Sequence, residues 1–398
     1  MKTIQRAFGF LLAATLMTTS FVGCAQEVKP SESESTSSGT SDSNYTVGYN
    51  YFGSGSYALL SLANNSQIVI DAFGNKSIAM DDEFSIEKIV QDIENMISSG
   101  VDGLIVWLPA ESMYTTIADM CAKAKIPFVL NDKIPSDESI IAALKANPYF
   151  VGAVSPANAV YGQRIAEYAL ERGFMTCITA SAGVGDPSDA PRLEAFTEAY
   201  IAGGGKIFTD LHADNADSAQ GQIEDALIAN PDVDFVYGVG SDYGIAACSA
   251  LENMGIDARV LTSGLDSGAL DLLKDGRYME MVNGDFWVCG MLSAVVLQNY
   301  LDGTPLKDGD GNAVWIDNVM PFEVSVDKID LYNRFFIDEY CYSNEEIKQM
   351  SGKYNADFEY NAFLKIIEEY NLENRLRAKY EAGKVTDEEL SVVGITVN

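Results

Sequence analysis

The chain has 398 residues, 47% hydrophobic and 10% aromatic, with a formal net charge of −32. That length is too great for one ordinary core and suits two lobes with additions, and the apolar content is that of a folding chain. The acidity excludes nucleic acid as a partner and opposes binding to anionic membrane surfaces, since both depend on basic side chains.

The first residues read as an address. Lys2 and Arg6 make a positive start, and Phe8 to Leu16 make an apolar stretch too short for a membrane span. Phe21-Val22-Gly23-Cys24 resembles a lipobox, with Phe where Leu is usual. The expectation is a lipoprotein signal peptide over residues 1–23 and lipid attachment at Cys24; the alternative is an ordinary secretory signal with an incidental cysteine. The following QEVKPSESESTSSGTSDSN is polar and lacks aromatic residues, so residues 24–44 are expected to be a flexible tether. This layout places the protein outside the cytoplasm, held by lipid to the bacterial cell membrane, at the cell surface or in the periplasm.

From Tyr45 short apolar runs alternate with amphipathic segments. Strands are predicted at Thr46-Asn50, Gly103-Leu108, Pro127-Asn131, Phe150-Val154, Met175-Ala180, Lys206-Thr209, Asp234-Val239, Arg259-Ser263 and Tyr278-Val282. Their apolar runs are nearly continuous, as in parallel strands covered on both faces. Helices are predicted between them at Ser85-Ser99, Ser112-Lys123, Asn158-Glu171, Leu193-Ala202, Gln220-Ala229 and Tyr243-Met254. Ser66-Asp71 reads locally as a strand, but the spacing favours a helix over Ser56-Phe73 and a strand at Ser77-Met80. From about Asp327 the texture changes, with helical periodicity in Asp330-Tyr340 and Tyr360-Tyr380. Strand-helix alternation of this kind predicts an α/β fold with parallel sheets.

Cys121, Cys177, Cys248, Cys289 and Cys341 are scattered and read as buried small hydrophobes. The single histidine, His212, excludes a His-rich zinc site and reads as a solvated loop residue. Gly53-Ser54-Gly55 and Gly183-Val184-Gly185 do not complete a dinucleotide fingerprint, and Gly203-Gly204-Gly205-Lys206 lacks P-loop spacing. Asp308-Gly309-Asp310-Gly311-Asn312 starts like a calcium loop but lacks its closing Glu, and reads as a polar hairpin turn. No metal and no cofactor are expected.

Four stretches, in this order, carry a resemblance: IVQDIENMISSGVDGLIVWLP, KIPFVLND, ANPDVDFVYGVGSDYGIAACSALENMG and VLTSGLDSGALDLLKDGRYMEMVNG. Together they are similar to the type I periplasmic binding proteins, closest to the ribose-binding branch, from Tyr45 to about Asp327. The resemblance implies two doubly wound parallel-sheet, Rossmann-like lobes joined by a three-strand hinge, with crossings near Val154-Ser155, Asn283-Gly284 and Val319-Pro321. Lobe 1 would then hold residues 45–154 and 284–320, and lobe 2 residues 155–283 and 321–332. Residues 333–398 would form a helical C-terminal extension.

The resemblance also implies a site in the cleft outside the carboxyl ends of the strands, where open α/β sheets favour one. Asn50 and Ser54 match polar contacts, and Tyr57 a stacking aromatic. Asp132 and Lys133 match an Asp-Arg pair, Lys keeping the charge without the bidentate fork. Arg192 stands either as a ligand contact or as a structural residue, because the family's ligand-binding Arg falls at Ala190. Ser241 and Asp242 match a polar pair at a strand end, Asp266 the ligand-binding carboxylate and Asn283 a contact at a crossing. Trp287 is a further stacking candidate. Core packing is the alternative for the aromatics and helix N-capping for Asp132 and Asp266. Carboxylates, amides and rings of this kind suit the rim and faces of a small polyhydroxylated ligand, a sugar.

The implied function is capture of that ligand by a monomer and delivery to an ABC importer permease. The alternative is a ligand-sensing receptor that presents the ligand to a membrane sensor. An enzyme lacks a nucleophile motif or metal cluster to work with, and a transcription regulator would need a helix-turn-helix where the signal stands.

Overall fold

The computed structural model of the chain describes residues 44–284 and 286–395. The signal peptide, Cys24 and the tether up to residue 43 lie outside the described residues. Strands form at the continuous apolar runs, with helices on both faces. The order begins β1 (Thr46–Tyr51), α1 (Tyr57–Ala72), β2 (Lys76–Asp81), α2 (Ile86–Ser98), β3 (Gly103–Val106), α3 (Met113–Ala124), β4 (Phe128–Asn131), α4 (Glu138–Ala146) and β5 (Phe150–Pro156). It continues α5 (Asn158–Glu171), β6 (Thr176–Ser181), α6 (Asp189–Ala202), β7 (Lys206–His212), α7 (Ala216–Ala229), β8 (Phe235–Gly238), α8 (Ser241–Met254), β9 (Arg259–Ser263), α9 (Ser267–Asp275) and β10 (Met279–Gly284). Then follow α10 (Val288–Leu301), β11 (Val314–Val319), β12 (Phe322–Glu323), α11 (Ile329–Tyr332), α12 (Asn344–Lys348), α13 (Tyr360–Glu368), α14 (Leu372–Glu381) and α15 (Asp387–Val392).

Two six-stranded sheets result, ordered β11-β5-β4-β3-β1-β2 and β12-β10-β9-β8-β6-β7. Every named strand pair is parallel except β10 with β12. The chain passes between the sheets after Pro156, after Gly284 and between Val319 and Phe322. This is the α/β architecture of two doubly wound lobes.

Close helix contacts fix each lobe. A Cβ on Gly290 of α10 would lie 2.2 Å from the Leu62 carbonyl of α1, and one on Gly162 of α5 would lie 1.8 Å from the Arg192 carbonyl of α6. Only glycine permits such approach. The five described cysteines are buried free thiols.

Three details differ from the sequence reading. His212 ends strand β7 and is not a loop residue. It is half-buried, with Nδ1 2.9 Å from the Ala182 carbonyl and 3.0 Å from Ser181 Oγ. The expected helix over Asp330-Tyr340 is one α-turn, α11, followed by a π-helix over Asn333–Asp338. The expected helix over Tyr360-Tyr380 is two helices, because the Asn371 side chain accepts from Asn374 N and caps a new start.

The C-terminal helices lean on both lobes. Tyr340 donates to Asn65 of α1 (2.8 Å), and Asn299 of α10 donates to the Met350 carbonyl (2.7 Å). On the other side Phe322 of β12 sits against Tyr332, Phe336 and Tyr370 at 5.8–6.1 Å between ring centroids. Lys274 of α9 pairs with Asp330 at 2.8 Å.

Candidate functional site

The carboxyl ends of both sheets meet. At the end of β1, Asn50 is buried and fully engaged within lobe 1. Its Nδ2 donates to Asp82 (2.8 Å) and to the Trp107 carbonyl (2.9 Å), and its Oδ1 accepts from Trp107 N (2.9 Å). Asp82 is completely buried, and burial, reinforced by the nearby Asp92, pushes its carboxyl up to about 7 against the Asn50 hydrogen bond. This network ties the ends of β1, β2 and β3 together.

Asp132 follows β4 with φ of 66°, a left-handed backbone that Asp tolerates better than most residues. It is 3% exposed, and its Oδ2 accepts from Trp107 Nε1 at 3.0 Å. Trp107 stacks on Phe52 at 5.2 Å and lies under Lys133 Nζ at 4.9 Å. Lys133 reaches across to Asp186 of the second lobe and forms a salt bridge with it. Burial pushes the Asp132 carboxyl up, opposed by the charges of Lys133 and Arg192.

In the second lobe the loop after β6 supplies Asp186, and the start of α6 supplies Asp189 and Arg192. Arg192 Nε donates to Asn158 Oδ1 at 2.8 Å, and the guanidinium lies over the rings of Tyr161 (4.7 Å) and Phe286 (5.1 Å). Its buried charge faces Asp132 and Asp189. Asp242, in the first turn of α8, accepts from Ser56 of lobe 1 at 3.2 Å. Asp266 is the N-cap of α9, with Oδ1 accepting from Ala269 N at 2.9 Å. Asn283, next to the crossing after β10, donates to the Tyr161 carbonyl at 3.2 Å. Ser241 is buried beside the Asp266 loop, where a Cβ on Gly264 would meet it at 2.8 Å.

Asp132, Lys133, Arg192, Ser241, Asp266 and Asn283 are thus buried near the ends of the strands, and Asp242 is half-buried beside them. Ser54 is exposed, and its backbone N–H donates to Asp81. Tyr57 and Trp287 pack edge to face at 6.3 Å, and with Phe336, Ile337 and Tyr340 they line a cavity of about 110 Å³ against the C-terminal helices. The sequence reading did not count Ser56, Trp107, Asp186 or Asp189 among the site residues. An aromatic ending a strand before Pro109 and an acid-rich loop leading to Arg192 are the signals that point to three of them.

A family model described as "Periplasmic binding protein domain" matches residues 61–305. No curated protein matches the chain. Among solved structures, a galactofuranose binding protein is 16% identical with a TM-score of 0.62, covering 72% of this chain and 96% of its own. A solute binding protein from Bacillus halodurans with bound myo-inositol is 17% identical with a TM-score of 0.62, covering 74% and 99%. The binding protein of the arabinose ABC transporter from Shewanella sp. ANA-3 is 16% identical with a TM-score of 0.61, covering 82% and 99%. At such identity the likeness speaks for the fold. With over half of its length matched by the family model, and two doubly wound lobes that meet at their strand ends, the chain belongs to the type I periplasmic binding protein family.

Proposed function

We propose that the chain is an extracytoplasmic solute-binding lipoprotein that captures a small polyhydroxylated ligand, a sugar, by lobe closure and delivers it to an ABC importer permease. One observation carries this reading. Asp132 Oδ1 of lobe 1 and Asp266 Oδ2 and Asn283 Oδ1 of lobe 2 are buried acceptors without a hydrogen-bond partner among the described residues. Each such group costs about 1–3 kcal/mol until it is paired. A ligand with several hydroxyls pairs them from one small body, because every hydroxyl donates as well as accepts. The galactofuranose, myo-inositol and arabinose in the printed names of the structural neighbours support the same class.

The contacts Lys133–Asp186 and Ser56–Asp242 cross between the lobes, so hinge opening breaks them and closure on a ligand remakes them. One chain supplies both faces of the cleft, which suits a monomer. Thermal melting against sugars, polyols and nucleosides tests the reading, since a ligand at about a hundred times its Kd stabilises the fold by about 2.7 kcal/mol. A sugar or polyol is expected to raise Tm; a response confined to nucleosides would overturn the assignment. For the anchor, Cys24→Ser is expected to move the protein from the membrane fraction to the soluble one. A variant that stays as membrane-bound as the wild type removes the lipid attachment from the reading.

A further inference from the structure

The charges of the cleft do not balance, and one half of it has no cation among the described residues. Asp132, Asp186 and Asp189 share their half with Lys133 and Arg192: Lys133 pairs with Asp186, and Arg192 faces the other two. Asp242 and Asp266 form the other half, brought together where Ser241, next to Asp242, lies against Gly264, two positions before Asp266; the charges of Asp266 and Asp189 both act on Asp242. Neither is in a salt bridge among the described residues.

Hydrogen bonds do not complete this half. Asp242 accepts from the Ser56 hydroxyl, and Asp266 caps α9 through Oδ1 with the Ser241 hydroxyl also acting on its carboxyl. Asp266 Oδ2 is buried without a partner, as is the neutral Asn283 Oδ1, whose residue pairs in the sheet with Ser263, three positions before Asp266. The N-termini of α8 and α9 each offer the equivalent of about half a positive charge. Against two carboxylates, Asp266 buried and Asp242 half-buried, this leaves about one negative charge without a cation. A neutral hydroxyl pairs the oxygens but leaves that charge. Burial pushes the carboxyls of both Asp242 and Asp266 up, and the charge of Asp266 adds to the effect on Asp242.

We infer that the ligand carries one ammonium group among its hydroxyls, an aminosugar or amino-polyol, and that this group binds between Asp242 and Asp266. An ammonium has three donors and no acceptor, so it pairs with the two carboxylates and with the unpaired Asp266 Oδ2 and Asn283 Oδ1 acceptors. This rests on the sugar reading proposed above and narrows it to a cationic member of that class.

The test is titration calorimetry of the whole mature protein near neutral pH. The probes are D-glucosamine, D-galactosamine and D-mannosamine, their parent hexoses, their N-acetyl forms, and the amines putrescine and ethanolamine. Wild type is expected to bind at least one hexosamine about tenfold or more tighter than its parent hexose and its N-acetyl form, a difference of about 1.4 kcal/mol. Asp242→Asn and Asp266→Asn, shown to be folded by thermal melting, are each expected to abolish that preference. Parent or N-acetyl sugars binding as tightly as the hexosamines would overturn the inference and leave the sugar reading intact. Putrescine or ethanolamine binding while every sugar fails would overturn the sugar reading and keep the cation site. Failure of every probe counts against both, and a preference that survives in both Asn variants places the ammonium elsewhere and sinks the inference.

Discussion

Asn50 at the end of β1 and Asp266 after β9 both stand at the carboxyl end of a strand, one in each sheet, yet their hydrogen bonding differs completely. Asn50 has both amide hydrogens and its oxygen engaged by Asp82 and Trp107. Asp266 uses one oxygen to cap α9 and keeps the other buried and unpaired. A buried polar residue with nothing left to donate or accept belongs to the scaffold. One at the cleft with a remaining acceptor has a place for a ligand hydroxyl or ammonium to pair. On the function proposed above, the contrast gives Asn50 the task of positioning β1, β2 and β3, and Asp266 that of direct recognition.

The largest expected effect separates these roles. Asn50→Ala leaves a buried carboxyl and two backbone groups unpaired, and is expected to lower stability by about 3–4 kcal/mol in denaturant melts. The folded fraction should keep its ligand affinity; a stable variant that no longer binds would reverse the assignment. Asp266→Ala is the mirror case. Losing the helix cap is expected to cost about 1 kcal/mol of stability. Losing the ligand contact is expected to cost about 2–3 kcal/mol of affinity, or roughly 30- to 150-fold. Equal affinity in wild type and variant would remove Asp266 from the site.

A smaller effect depends on pH. Asp82 holds its proton up to about 7 in the folded chain and loses it near 3.8 when unfolded, and Asn50, Asp92 and Lys88 are the polar groups that act on it. Its contribution to stability is therefore whole below the unfolded value and is lost as pH rises towards about 7. Asp82→Asn, which keeps an acceptor for Asn50, is expected to be about 2 kcal/mol more stable than wild type in mild alkali and no more stable in acid. A difference that stays flat with pH would show that Asp82 does not titrate in this range. The smallest effect is expected at Ser54→Ala. Its exposed side chain leaves stability and affinity within about 0.5 kcal/mol of wild type. A larger loss of affinity would bring the loop after β1 back into the site.

Much of the architecture is legible in the sequence because parallel strands announce themselves as unbroken apolar runs. Val47 to Tyr49, Leu104 to Val106 and Phe235 to Tyr237 are all buried. The same logic fails at α10. Val288 to Asn299 is buried without interruption, so no amphipathic period betrays the helix. In the cleft, residues placed by a strand end, such as Asp132 and Asp266, can be found from the sequence. Trp107 and Asp186 cannot be found in the same way, since their roles depend on partners distant in the chain. Trp107 touches Asp132, and Asp186 touches Lys133 across the lobes. Tyr57 and Trp287 illustrate the opposite hazard, for two rings at suitable positions pack against the C-terminal helices.

The threading of the chain between the sheets has a consequence for how the protein is made. Strands β6 to β10 of the second lobe are consecutive, so they can pair once residue 284 is available. The first lobe is different: its edge strand β11 matches Val314 to Gly152 of β5, and α10 packs beside α1 on its sheet. Until residues 288–319 arrive, strands β1 to β5 stand with an open edge and an uncovered apolar face. Closing so long a loop is entropically slow, and open edges of this kind invite pairing with other chains. A polypeptide emerging from a translocation pore N-terminus first would therefore have the five parallel strands of its second sheet available before β11 closes the first, with β12 added last. During that interval the unfinished lobe is the part most in need of a chaperone.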